Sequence, residues 1–191
     1  MTTPILAQSF SQMTFPKRSI RTYTGHYIDV FAPKSDSIAI EDIAHALSQL
    51  CRYGGHCDPF YSVGQHSIIC SYMVAEEFAL EALLHDATEA YLVDIPRPIK
   101  KEFEFYTQVE DHLYKFVAEK FNLQFPIPDE VHVVDNSILE YEWFYFMEGM
   151  PKPEHKEFYD KHFKPMSCKS VENEFLERFT ILMNNRELKN N

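Results

Sequence analysis

Several ionisable residues of this chain fall where helical periodicity calls for apolar ones. His85, Asp86 and Glu89 interrupt the apolar sequence Ala82-Leu83-Leu84 and Ala87. His85 and Glu89 are four apart and Asp86 and Glu89 three apart, spacings that bring side chains to one side of a helix. Asp135 shares a helical face with Val131, Ile138, Leu139 and Glu142, and so points toward the core. An unpaired carboxylate there would be costly, so it needs a cation or a metal. His66 stands in the first turn of another helical segment, near its start at Ser62. Two imidazoles and two carboxylates (His66, His85, Asp86, Asp135) form a mixed N/O donor set that suits a divalent ion such as Mn, Fe, Co, Ni or Zn. Four protein donors on a six-coordinate ion leave room for a water and a substrate oxygen, which is a hydrolytic site.

Taken singly, each residue has a plainer reading. A His-Asp dipeptide is expected about 0.5 times by chance at this His and Asp content. His66 alone reads as a surface or capping residue, and Asp135 alone as a carboxylate bonded to a nearby arginine. The order His66, His85-Asp86, Asp135, each on a predicted helix in an apolar context, is what favours the joint reading.

The elements that must position these residues are mostly helical. Residues 1–36 carry no helical period; Tyr23 to Phe31 alternate with Thr22 to Val30, and Thr24-Gly25-His26 can turn the chain, which predicts a short β-hairpin. From residue 38, Ile40, Ile43, Ala44, Leu47, Leu50 and Cys51 form one apolar stripe that Gly54-Gly55 stops. Ser62-Val63-Gly64-Gln65 has capping-box spacing, so a second helix begins near Ser62. A third runs from about Ala79 to Leu92, ended by Pro96 and Pro98, which form a stiff connector. Further helices are predicted over 102–121 and 129–147, then a loop over 150–166, then a last helix holding Val171, Phe175, Leu176, Phe179, Leu182 and Met183. The expectation is an all-α bundle of about six helices with a small N-terminal β-hairpin, in one domain over 1–191.

Composition narrows the function classes. The chain has 191 residues, is 45 % hydrophobic and carries a net charge of −11, so it is an ordinary globular sequence whose surface repels nucleic-acid polymers and anionic lipid. A small anionic ligand needs only a few local positive groups and stays open. No apolar run approaches the ~18 residues that span a bilayer, no leader pattern is seen, and a cytoplasmic setting is expected. Cys51, Cys57, Cys70 and Cys168 form no C-x-x-C pair and read as free buried thiols. Sixteen Phe and eleven Tyr exceed what a small core absorbs easily, which points to rings at a homo-oligomer interface.

The order His66…His85-Asp86…Asp135 resembles the H…HD…D pattern of the HD-domain phosphohydrolase superfamily. Arg52-Tyr53-Gly54-Gly55-His56, Phe60 to Ser67, Ala82 to Tyr91 and Asp94-Ile95-Pro96-Arg97-Pro98-Ile99-Lys100 resemble its branch of bacterial and prophage 5′-deoxynucleotidases and phage dATP triphosphohydrolases. The likeness covers about residues 20–147, is most specific over 52–100, and leaves 148–191 as a helical extension. It implies an HD-domain helical bundle with His66, His85, Asp86 and Asp135 as metal ligands. Glu89 then handles protons and Asp94 is a second acid of the pocket; Arg52 and Lys100 bind phosphate, and Tyr53 lies against the nucleoside. It further implies one divalent ion (Co, Mn, Zn, Fe, Ni or Mg), with a second where the substrate is a polyphosphate, and a small-molecule (deoxy)nucleotide as partner. A catalytically silent nucleotide-binding module of the same family is the alternative. Ala87-Thr88-Glu89-Ala90 lacks both the Gly-Lys of cyclic-dinucleotide phosphodiesterases and the second acid of alarmone hydrolases, so neither subfamily is expected.

Overall fold

The structure, a computed structural model, describes residues 16–190; of the N-terminal stretch without helical period, residues 1–15 lie outside the described residues. The expected all-α bundle with a small hairpin is what the chain forms. Strands β1 (Ser19–Arg21) and β2 (Tyr27–Asp29) pair antiparallel, Ile20 opposite Ile28. The turn between them starts earlier than the alternation suggested, because Asp42 captures the backbone N–H and hydroxyl of Thr24 at 2.7 and 2.9 Å and holds that residue in the turn.

Helix α1 (Ile40–Gln49) buries Ile43, Ala44 and Leu47, as its stripe requires. Helix α2 (Val63–Met73) is different: every residue from Val63 to Ser71 is buried, so it has no solvent face and runs through the middle of the bundle. Ser62 caps it by accepting from Gln65 N–H at 3.1 Å. The second half of the capping box does not form, since the Gln65 amide instead donates to the carbonyls of His162 and Lys164 at 3.1 and 3.0 Å and anchors the chain beyond the bundle.

The helix expected over Ala79–Leu92 is broken into α3 (Ala79–Leu84) and α4 (Glu89–Leu92). Between them Ala87, Glu89, Ala90 and Tyr91 N–H donate to carbonyls three residues back, a 3₁₀-like winding. The connector after Pro96 is not extended: Arg97–Lys100 makes a short helix α5, with Pro98 tolerated in its first turn. Helix α6 (Glu104–Phe121) and helix α7 (Asp129–Glu142) follow the predicted spans, α7 running on through a wider π turn at Trp143–Met147. The expected loop at 150–166 contains helix α8 (Lys156–His162), whose Tyr159 is buried. Helix α9 (Cys168–Asn190) packs on α1, α2 and α3, with Val171 and Phe175 in their common core, so this segment is part of the bundle and not an appendage to it.

A second cluster accounts for much of the aromatic excess: Tyr61, Phe146, Tyr159 and Phe163 are buried together behind α7, Tyr61 stacking on Phe146 at 4.4 Å. Rings expected at an interface are thus partly core, although Phe31 and Phe105 remain exposed and stacked at 6.2 Å. No helix among the described residues is long and apolar enough to cross a membrane. Gly64 is the point where α2 touches both α1 and α9: a Cβ there meets Val171 Cγ1 at 3.0 Å and the backbone of Leu47 and Ser48 at 3.1 Å. Gly64→Ala is expected to lower stability by about 1–3 kcal/mol through overpacking, read as a shift of the urea midpoint at unchanged slope.

Candidate metal centre

Helices α2, α3 and α7 bring all four predicted donors to one point. His66 Nε2 lies 3.3 Å from His85 Nε2, 3.2 Å from Asp135 Oδ1 and 3.9 Å from Asp86 Oδ2. His85 Nε2 lies 3.3 Å from Asp86 Oδ2 and 3.9 Å from Asp135 Oδ1. Donors about 2.1 Å from one ion stand about 3.0 Å apart at a right angle and about 3.4 Å apart at the tetrahedral angle, so the spacing has the scale of a coordination sphere. His66 is fully buried in α2, which overturns its reading as a surface or capping residue.

Hydrogen bonding fixes which atoms face the centre. His66 Nδ1 donates to Glu142 Oε1 at 2.6 Å and His85 Nδ1 donates to the Ala82 carbonyl at 2.8 Å. Each neutral ring then turns the Nε2 lone pair inward, toward two carboxylate oxygens. Four acceptors pointing at each other are repulsive unless a cation or a proton stands among them. Burial and the Arg52 charge work to lower the His66 pKa, but Cys70, Glu142 and the bond to Asp135 prevail and raise it well above its ordinary value. Burial likewise works to raise the Asp135 carboxyl, yet the bond from His66 and the charges of His85, His66 and Arg52 hold it well below the usual range.

Cys70, one turn along α2, joins this group, and the buried set His66, Cys70 and His85 could hold a metal ion. Its sulfur lies 3.5 Å from His66 Nε2 and 3.9 Å from Nδ1, beside the ring and off the Nε2 lone-pair axis. By sequence, Cys70 reads as a free buried thiol only. Of the other thiols, Cys57 is buried but Cys51 and Cys168 are only half-buried, and Cys51 Sγ faces Cys57 Sγ at 3.8 Å.

Asp86 and Asp135 line a cleft of about 830 Å³ together with Arg52, Tyr53, His56, Glu89, Asp94, Arg97, Lys100 and Trp143, while His66 and His85 are buried beside these two carboxylates. The 3₁₀-like winding after His85 matters here, because residues three apart eclipse in it and Asp86 and Glu89 share the cleft wall. Burial, then the charges of Asp86 and Asp94, push the Glu89 carboxyl well above the ordinary range against the pull of Lys100 and Arg52. Glu89 Oε2 has no hydrogen-bond partner among the described residues. Asp94 is raised as well, first by burial. Lys100 Nζ donates to Glu110 at 2.8 Å and lies 3.7 Å from Glu89, so it reaches the cleft edge from an ion pair.

Three features escaped the sequence reading. Glu142, fully buried, accepts from Arg52 Nε at 3.1 Å, Tyr53 OH at 2.9 Å, Tyr61 OH at 2.8 Å and His66 Nδ1, and these donors hold its carboxyl down at about 2 despite burial. The Arg52 fork expected to be free for phosphate is therefore turned onto Glu142, leaving Nη1, 3.7 Å from Asp86, on the cleft side. Arg97 bridges Asp135 Oδ2 at 3.1 Å and Asn136 at 2.7 Å, so Asp135 has both an arginine partner and a place among the donors. His45 lies outside this cleft: it stacks on Tyr23 at 3.7 Å and bonds Glu172 at 3.1 Å. Glu142 was visible as a charge on the Asp135 face; nothing in the sequence named its partners.

Comparison with known proteins adds likeness without an activity. The chain is 45 % identical over 104 residues, 54 % of its length and 58 % of the relative's, to YfdR, an uncharacterized protein of Escherichia coli K12. It is 35 % identical over 118 residues, 56 % of its length and 60 % of the relative's, to RCAP_rcc00048, an uncharacterized protein of Rhodobacter capsulatus. The matched region thus covers about three fifths of these relatives. No family model matches the chain.

The raised His66 pKa gives a signed expectation. Its folded pKa is raised, so the metal-free protein holds this stabilisation fully below about pH 6.5 and loses it as pH rises through the folded value. A divalent ion competes for the same lone pair and binds better as pH rises. Thermal melts of chelator-treated protein are therefore expected to fall in Tm on going up from about pH 6.5, while the gain in Tm on adding Zn²⁺ or Co²⁺ grows. A gain independent of pH would remove His66 from the ion's donors.

Proposed function

We propose that this chain is a metal-dependent nucleotide phosphohydrolase of the HD type. It would act on deoxynucleotides as a 5′-deoxynucleotidase or as a dNTP triphosphohydrolase, dATP included. The observation that carries the reading is the convergence of four acceptor atoms, from His66, His85, Asp86 and Asp135, of which Asp86 and Asp135 line a cleft shared with Arg52 and Lys100.

These four residues would hold one divalent ion, which when bound lowers the pKa of water toward neutrality and polarises a phosphoryl oxygen. Glu89 supplies the proton-handling group: its buried, unpartnered Oε2 and raised pKa suit a carboxyl that takes and returns a proton near neutral pH. Asp94 supports that raised pKa by its charge. Arg52 Nη1 and Lys100 Nζ would meet phosphate oxygens, Lys100 from its pair with Glu110, and stabilise charge spreading over them. Tyr53 and Trp143, edge to face at 6.3 Å, offer an apolar wall for a nucleoside. The proposal keeps the cytoplasmic setting, or the host cytoplasm for a phage-encoded chain, and the homo-oligomer, for which the exposed Phe31–Phe105 pair is the available support. Nucleic-acid polymers and membranes stay outside it.

The test is incubation with a panel of dNMPs and dNTPs under Mn²⁺, Co²⁺, Zn²⁺ and Mg²⁺, with products identified. Nucleoside plus phosphate marks the nucleotidase and nucleoside plus triphosphate the triphosphohydrolase, whereas ligand binding with every substrate intact marks the silent module. Glu89→Gln is expected to cut kcat by about 10²–10⁴-fold while metal content stays at the wild-type level.

A further inference from the structure

We infer that Glu142 is a positioning residue that selects which nitrogen of His66 faces the ion and ties that choice to Arg52. The inference rests on the metal-centre reading above and assigns the group that tunes it. Glu142 divides its partners between its two oxygens. Oε1 accepts from His66 Nδ1 at 2.6 Å and Tyr61 OH at 2.8 Å; Oε2 accepts from Arg52 Nε at 3.1 Å and Tyr53 OH at 2.9 Å, with Arg52 Nη2 also at 3.1 Å. The two tyrosines can reverse a hydroxyl, and His66 can move a proton between its ring nitrogens. Arg52 can only donate. A carboxylate that accepts at both oxygens satisfies the arginine and the imidazole together, and so keeps the His66 proton on Nδ1 and the lone pair on Nε2.

Glutamine has nearly the same shape but one oxygen. Because Arg52 cannot accept, the amide oxygen of Glu142→Gln must stay on the Arg52 side, and its NH₂ must face His66 and Tyr61. Nδ1 then has to accept, the ring proton moves to Nε2, and the lone pair directed at the ion is lost. A role in packing alone predicts the opposite, since Gln fills the same space. Removing the arginine lifts the constraint: with Arg52→Gln in the same chain the amide can turn over, offer its oxygen to His66 Nδ1–H and restore the lone pair.

The experiment measures Co²⁺ binding by calorimetry and by visible d–d absorption on wild type, E142Q and R52Q/E142Q, with circular dichroism on each. E142Q is expected to keep its helical content and lose about 10–100-fold in Co²⁺ affinity, and the double variant to recover most of that loss. Wild-type affinity in E142Q overturns the inference. So does a double variant no better than E142Q, because the link through Arg52 is then absent. Should E142Q fail to fold, the double variant, whose pair is neutral, decides alone: binding within about tenfold of wild type supports the link and a loss near 100-fold overturns it. A wild-type protein that takes up no Co²⁺ overturns the metal centre itself, a result distinct from an unaffected E142Q.

Discussion

The Glu142 carboxylate, with no exposed surface, is the group around which the site is arranged. It joins three separate parts of the chain: Arg52 and Tyr53 in the turn after α1, Tyr61 and His66 at and within the start of α2, and Glu142 itself at the end of α7. Burying one charge without partners costs several kcal/mol, and removing one partner of a buried pair about 3–5 kcal/mol. The hub is therefore stable only when all its donors arrive together, and its formation sets α7 against α2 at the height that aligns Asp135 with His66. The ring cluster of Tyr61, Phe146 and Phe163 lies beside it and excludes water, which strengthens each bond to the carboxylate.

The same low-dielectric setting sorts the acids of the cleft into two kinds. Glu142 and Asp135 each receive strong donors that hold their carboxyls below the ordinary range despite burial. Glu89 and Asp94 are buried among like charges and pushed the other way. Acids held apart in this manner can do different work, some binding a cation and one carrying a proton. The chain's net charge of −11 is thus uninformative about the cleft, whose lining includes the cations Arg52, Arg97 and Lys100.

Much of this was legible in the residues. The periodicity of α1, α6 and α7 and the Ser62 cap came through because each depends on neighbours within a few positions. The His66, His85-Asp86, Asp135 set came through because polar residues in apolar registers are costly wherever the helices pack. The break at His85–Thr88 did not: Ala, Leu and Glu are good helix formers, and only the packing of Ala87 and Tyr91 into the core tightens the winding there. Nor did α8, whose span reads as polar and proline-flanked until Tyr159 finds the second cluster. Arg52 was read as free for phosphate because a lone arginine carries no mark of the buried acid it meets.

What the sequence determined by itself is which polar residues stand in apolar registers and most of the helices that carry them, since local periodicity and the cost of a buried charge act within one segment. What the tertiary structure alone decided is the division of roles around Glu142: which nitrogen of His66 faces the centre, which edge of Arg52 remains for the cleft, and that Glu142 itself is held down. Those depend on partners 76 to 90 residues apart in the chain, and a hydrogen bond is set by distance in space, to which the order of residues carries no direct guide.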